Sequence, residues 1–403
     1  MPVADEHRSA PGQPLVMIVD ITGSTLQYDA PLSQALATDS NVIFRTSPFF
    51  REPTAFRMNT LRMDFLPRAA WLADRWPGVV DRRFWKVVQL QGYLSAWPNI
   101  LREIRSREVH VLHLQWCKLP ILDFWIMRMA QKRGLRIVYT IHHPLPEGNK
   151  SKYVRMYRKL YRQADALVVL SRVVKQRVLD SVDDSLADKI HVIEHGVLEL
   201  AYPLPDREEA RARFNLEKDA EVALFMGAIR ATKGIMDLID GFNVARRDRP
   251  KLRLIIAGSP QQSFLPYRGQ IERLGLSKLI QAHPRYISEQ LKPAFFAAAD
   301  VVVLPHRDLG QSAMGMEALA VGKPIIATRA GGLIEVVEEG LNGYAVPAQD
   351  PHALAGALCR IFALSASARE AMAAASRELG RDRFDWSVIA RKHLTLYHRL
   401  AEQ

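Results

Sequence analysis

Two stretches of this 403-residue chain carry polar side chains spaced as a ligand site would need them. The first is FMGAIRATKG, from Phe225 to Gly234. Gly227 ends an apolar run, Arg230 and Lys233 follow within one loop, and Gly234 precedes the helical pattern IMDLIDGF. A glycine permits close backbone approach, a helix N-terminus offers N–H groups without intrahelical partners, and Arg with Lys brings two positive charges to one point. That combination suits a diphosphate. It also fits a plainer reading, two solvated loop cations beside a turn glycine, and spacing alone does not choose between them.

The second stretch is HRDLGQSAMGMEALAVGKPIIATRAGG, from His306 to Gly332. Small residues at Ser312, Ala313 and Gly315 open a helix that carries Glu317 among Met314, Met316, Ala318 and Leu319. A carboxylate so placed can accept both hydroxyls of a ribose, and N–H groups at Gln311, Ser312 and Ala313 could meet phosphate or sugar oxygens. The competing reading is a helix carboxylate stabilised by the macrodipole. In the first half, LRIVYTIH ends at His142, with His143 and Pro144 after it, which puts two imidazoles at a strand end. Either could equally be a hydrogen-bonded structural histidine. The loop DITGSTLQYDAP places Gly23 and Ser24 after the first apolar run, and a lone glycine there is a weak signal.

The elements that must position these residues follow from hydropathy. Short runs rich in Val, Ile and Leu recur, each followed by a longer helical segment: LVMIVD, NVIFRT, VHVLHL, LRIVYTIH and ALVVLS in the first half, EVALFMG, LRLIIAG, VVVLP and KPIIATR in the second. Continuous rather than alternating apolarity predicts strands covered on both faces, so parallel sheets flanked by helices, and at roughly 100–200 residues per domain the chain holds two such α/β domains in series. The proline-rich, charged stretch YPLPDREEARARF places the boundary near Pro205. Beyond GYAVP the chain is helical in period, and Trp386, Ile389, Leu394, Tyr397 and Leu400 mark one face of the last helix.

GAIRATKG followed by MEALAVGKPIIATRAGGLIEVVEEGLNGYAVP resembles the family-4 glycosyltransferases of the GT-B fold, closely over residues 190–400 and loosely before. The resemblance implies two facing Rossmann-like domains with a cleft between them: 1–205 binding the acceptor, 206–380 the nucleotide sugar, and a helix at 381–403 crossing back to the first. It implies Arg230 and Lys233 on the donor diphosphate, Glu317 on the ribose, and Gly23, Gly227, Gln311, Ser312 and Ala313 around the donor. His142 matches a position facing the sugar, where it would hydrogen-bond a donor hydroxyl or assist the acceptor; Gly331 and Gly332 match a glycine pair, and Asp350 a helix cap. The implied reaction moves a hexose from a UDP- or GDP-linked donor to a glycan acceptor, with retention and without a metal or other cofactor, and no Asp-x-Asp motif stands clearly at a strand end. The family's first glutamate, eight positions before Glu317, is replaced by Leu309, with Asp308 beside it. That leaves the sugar and the stereochemical course open, with Asp308 or Gln311 as substitutes, and makes a donor-binding but inactive scaffold the alternative.

Composition bounds the rest. A hydrophobic fraction of 48% and a charged fraction of 24% are ordinary for a globular protein, and two distant cysteines, Cys117 and Cys359, suggest neither a disulfide framework nor a zinc site. No signal peptide or spanning run is read, so a cytoplasmic protein is expected. The formal charge of +12 attracts anions of any kind. A nucleic-acid-binding protein is the rival from another class, but no zinc-finger, RRM or helix-turn-helix signature accompanies the charge, and no G-x-G-x-x-G marks a dehydrogenase. Trp71 to Trp97 and Lys150 to Gln163 mix basic and aromatic residues, as helices on anionic lipid do. They suggest peripheral association with the inner face of the plasma membrane and a lipid-linked acceptor, as in surface-polysaccharide (exopolysaccharide) synthesis; the alternative has the aromatics packed inward and the cations solvated.

Overall fold

The structure is a computed structural model that describes residues 13–46, 82–142, 151–307 and 312–403. The chain divides into two compact units, Met1–Glu194 with Trp386–Gln403, and His195–Asp385. The first unit runs β1 (Val16–Asp20), α1 (Leu26–Asp39), β2 (Val42–Thr46), α2 (Arg82–Ser106), β3 (Val111–Leu114), α3 (Pro120–Gln131), β4 (Arg136–Ile141), α4 (Ser151–Gln163), β5 (Ala166–Val169), α5 (Arg172–Ser181) and β6 (Ile190–Val192). The second runs α6 (Arg207–Arg213), β7 (Glu221–Met226), α7 (Ile235–Ala245), β8 (Leu252–Ala257), α8 (Leu265–Arg273), β9 (Ile280–His283), α9 (Lys292–Ala298), β10 (Val301–Leu304), α10 (Ala313–Val321), β11 (Ile325–Thr328), β12 (Gly343–Val346), α11 (Pro351–Ala363) and α12 (Ala366–Phe384). The closing helix, α13 (Trp386–Ala401), belongs to the first unit.

Each unit holds one six-stranded sheet, ordered β2-β1-β3-β4-β5-β6 and β12-β11-β10-β7-β8-β9. The strand pairings are parallel throughout, as continuous apolar runs require. Alternate residues of each strand enter opposite layers: Val16 and Ile18 join one core of the first unit, Met17 and Val19 the other. Helix α13 adds Ile389, Leu396 and Tyr397 to the layer of Val16 and Ile18, so the apolar stripe at the C-terminus is a core face of the first unit.

Both sheets reverse their winding direction once, between β1 and β3 and between β7 and β10. At such switch points the connections leave to opposite faces and open a crevice at the carboxyl ends of the strands. Three edge strands, β6, β9 and β12, were not among the apolar runs read from the sequence.

Candidate functional site

In the second unit the FMGAIRATKG segment leaves β7 at the switch point. Gly227 adopts φ +148°, and a side chain there would meet open space. The end of β8 closes on it, since a Cβ on Gly258 would lie 1.8 Å from the Gly227 carbonyl oxygen. Arg230 leads into a 3-10 turn at Ala231–Lys233, and Gly234, at φ +66°, starts α7. A Cβ on Gly234 would lie 1.8 Å from the Pro305 carbonyl oxygen, so only glycine lets this loop rest against the end of β10.

That contact joins the two motifs. Arg307 N donates to Thr232 O at 2.8 Å, and Lys233 Nζ lies 3.4 Å from His306 Nδ1. Arg307 is in turn paired with Asp237 of α7, Nε to Oδ2 at 2.7 Å. His306 is buried, and burial first, then Lys233 and Arg230, hold its imidazole well below the usual histidine range. It therefore stays neutral and accepts from Lys233 without adding charge. Thr328 Oγ1 donates to the His306 carbonyl at 2.6 Å and fixes the backbone there.

Helix α10 opens at Ser312, whose side chain makes no cap hydrogen bond, and its first N–H groups lack intrahelical partners. Gly315 lets the helix pack closely, as a Cβ would sit 3.3 Å from Leu304 Cδ1. Ala313 is exposed and Ser312 buried at the helix start. Glu317 lies beyond the first turn, so the macrodipole is not its main partner. Its carboxylate accepts from Lys292 Nζ at 2.6 Å, and Lys292 also reaches Glu289 at 2.9 Å. Burial pushes the Glu317 carboxyl up while Lys292 pulls against it. Burial also opposes the charge on Lys292, yet Glu317 and Glu289 outweigh it and hold the ammonium above the ordinary lysine range. Gln311, Asp308 and Leu309 lie outside the described residues. Asp350 caps α11, accepting from Ala353 N at 2.9 Å.

Gly23 and His142 fall near the other switch point. Gly23, at φ +55°, turns the chain after β1 around the buried Asp20 carboxylate, which accepts from Thr22 N and Thr25 N, each at 3.1 Å. Trp116, after β3, donates from Nε1 to Thr25 Oγ1 at 3.0 Å and stacks on His142 with ring centroids 5.1 Å apart. His142 Nε2 lies 3.0 Å from Gln115 Oε1, and Tyr28 meets the imidazole edge-on at 5.2 Å. Beneath it, His113 is fully buried between Tyr397 OH and Thr140 Oγ1, at 2.6 and 2.7 Å. His113 is structural; half-buried His142 is the member of this group nearer solvent. His143 lies outside the described residues.

Sequence reasoning passed over His306, Lys292, Gln115 and Trp116. His306, Gln115 and Trp116 stand at strand ends and were within reach of the strand-end rule. Lys292 was marked only by being a cation at the head of the apolar segment KPAFFAA.

The model of the glycosyl transferases group 1 matches residues 206–379, and that of glycosyltransferase family 4 matches residues 52–198. The chain belongs to the family-4 glycosyltransferases. Its relatives include a D-inositol 3-phosphate glycosyltransferase of Nocardioides, 30% identical over 59% of this chain and 54% of that one. The enzyme of the same name from Corynebacterium glutamicum is 34% identical over 60% of this chain and 59% of its own. The match thus spans about half the length of these curated relatives. Two solved structures share the GT-B fold. Sucrose-phosphate synthase from Thermosynechococcus elongatus has a TM-score of 0.69 at 20% identity, over 96% of this chain and 99% of that one. Anabaena HepE in complex with UDP and glucose has a TM-score of 0.69 at 17% identity, over 97% and 100%.

In the basic, aromatic stretches of this family-4 chain, the aromatics that the structure describes follow the inward-packing alternative. Tyr93 and Trp97 of α2 and Tyr161 of α4 are core residues, and Tyr157 packs against them while donating to Cys117 O at 3.1 Å. These four aromatics face inward because each helix needs an apolar face toward the sheet. Residues 71–81 lie outside the described residues. Among the described residues, no helix is long and apolar enough to cross a membrane.

Proposed function

We propose that the chain is a nucleotide-sugar-dependent glycosyltransferase that moves a hexose from a UDP- or GDP-linked donor to a glycan acceptor with retention. The observation that carries this reading is the meeting of the Gly227–Gly234 loop with Pro305, His306 and Arg307 at the β7/β10 switch point. Arg230, Lys233 and the neutral His306 imidazole lie together there, and with the N-termini of α7 and α10 they are read as an anion site, with the buried Glu317 carboxylate following on α10.

In this reading Arg230 and Lys233 hold the diphosphate beside Gly227, the α10 N-terminus at Ser312 and Ala313 adds N–H donors, and Glu317 takes the ribose hydroxyls. As the bond from the sugar carbon to the phosphate oxygen breaks, negative charge grows on the departing diphosphate. The preorganised cations and helix N–H groups stabilise it, so no metal is invoked. The acceptor hydroxyl bonds to the same carbon, and its proton passes to the departing phosphate oxygen. The first unit binds the acceptor, and His142 hydrogen-bonds a sugar hydroxyl or assists that acceptor. The acceptor is a lipid-linked glycan of surface-polysaccharide synthesis on a cytoplasmic membrane face; the relatives' names favour an inositol phosphate as a second acceptor class.

The test is calorimetric binding and hydrolysis of a panel of UDP- and GDP-sugars, alongside Lys233→Ala and Glu317→Ala. Losing a charge-assisted hydrogen bond worth about 1.5–3 kcal/mol weakens the recognised donor by roughly 10- to 150-fold. If no donor is bound, or neither substitution changes its affinity, the reading fails. Binding without turnover in the presence of acceptors would select the scaffold instead.

A further inference from the structure

Helix α3 buries one face and leaves the other bare. Ile126, Met127 and Ala130 enter the core, and buried Asp123 accepts from Tyr93 OH at 2.6 Å. On the outer side Ile121, Trp125 and Met129 are 64%, 55% and 38% exposed. Their spacing of four residues stacks them in one stripe along the helix. A half-exposed tryptophan between two aliphatic neighbours is costly in water, so the stripe calls for a partner.

The charge beside it identifies that partner. Arg128, Lys132 and Arg133 are exposed at the C-terminal end of α3, with the Arg128 guanidinium 5.8 Å from the Trp125 ring centre. Helix α4 packs on α3 and turns Arg155 and Lys159 outward. The helix's own carboxylate, Asp123, is buried and leaves no acid on this face. An apolar stripe with a tryptophan at its centre and cations along its border is the composition of a helix lying in an anionic lipid interface.

We propose that the Ile121–Trp125–Met129 face of α3 docks the protein on an anionic bilayer. The stripe enters the headgroup boundary, and Arg128, Lys132 and Arg133 meet lipid phosphates. This rests on the membrane-surface part of the proposed function and moves its seat. The anchoring aromatic is Trp125, whereas Tyr93, Trp97, Tyr157 and Tyr161 of α2 and α4 serve the core.

The test is co-sedimentation of the full-length protein with vesicles of phosphatidylcholine alone or mixed equally with phosphatidylglycerol. The parent binds the anionic vesicles, more weakly as salt rises. Ile121→Ser, Trp125→Ser and Met129→Ser combined lower the partition coefficient by at least about 30-fold. Arg128→Gln and Lys132→Gln lower it by about fivefold per charge. Circular dichroism and donor binding, both unchanged, show that the variants are folded. If the parent binds anionic vesicles and the triple variant binds equally well, the α3 face is not the seat and the wider membrane reading survives. If the parent binds neither vesicle, both fall. If light scattering shows a parental dimer that the triple variant loses, the stripe is an interface between copies and the proposal is overturned.

Discussion

Lys292→Met removes an ammonium while keeping a side chain of similar reach. Lys292 and Glu317 are 12% and 9% exposed at the side chain, so their contact is shielded from solvent. Removing one member of a buried pair leaves the other charge without compensation and typically costs about 3–5 kcal/mol. Here Glu289, also in contact with Lys292, adds repulsion to the stranded Glu317. At about 2–4 °C per kcal/mol for a unit of this size, the melting midpoint falls by roughly 10 °C. The pH dependence checks the cause. Burial already raises the Glu317 carboxyl, and without Lys292 it rises further. A carboxyl whose folded pKa is raised holds a proton that the unfolded chain has lost, so its cost accumulates as pH rises above the unfolded value. The deficit relative to the parent is therefore full at pH 8 and shrinks toward pH 4. Urea denaturation followed by circular dichroism across that range measures it. Adding Glu317→Gln removes the stranded charge and recovers most of the loss. A deficit under about 1 kcal/mol, or one unchanged in the double variant, would refute the view that Lys292 neutralises a buried Glu317.

Gly234→Ala forces an L-residue into the left-handed region against the Pro305 carbonyl and should cost more than about 3 kcal/mol and weaken donor binding. Gly227→Ala, facing open space, carries backbone strain alone and should cost about 1–3 kcal/mol; paired melting curves and titrations test the order. Asp350→Ala loses the cap of α11 and about 1 kcal/mol, read from the urea midpoint. Burial pushes the Asp123 carboxyl up to about 7 against its hydrogen bonds from Tyr93 and Leu119. The folded chain then keeps a proton that the unfolded chain loses near pH 4, so this group's contribution falls as pH rises from about 4 to 7. Asp123→Asn should flatten that part of the parent's stability profile, and matched profiles without a difference would count against it.

The inner strands were legible because they are covered on both faces. Val111–Leu114 and Val301–Leu304 are fully buried and read as unbroken apolar runs. Edge strand β2 was read, but three other edge strands escaped notice, two of them for the complementary reason. Ile190–Val192 and Ile280–His283 are only partly buried, so polar residues such as His191 and Gln281 are tolerated in them and no continuous run appears. Gly343–Val346 opens with a glycine, which shortens its apolar run and must lie flat on β11, since a Cβ there would meet the Ile325 carbonyl oxygen at 1.8 Å.

By itself the sequence determined the two parallel α/β units and their inner strands, and it nominated glycines after strands, cations in the loop beyond, and a carboxylate in a helix with an apolar surround, all properties of neighbours in the chain. Tertiary structure decided which distant groups meet them. Lys233 finds His306 because β7 and β10 are paired, although 73 residues separate the two side chains. Glu317 is met by Lys292 because helices α9 and α10 flank β10 in the chain and both bury residues in the same core. The inward turn of Tyr157 and Tyr161 and the outward turn of Trp125 were likewise settled by which helix face the sheet covered. A helical period announces a buried face, but composition does not say which aromatic it takes, because packing against the sheet alone supplies the energy that chooses.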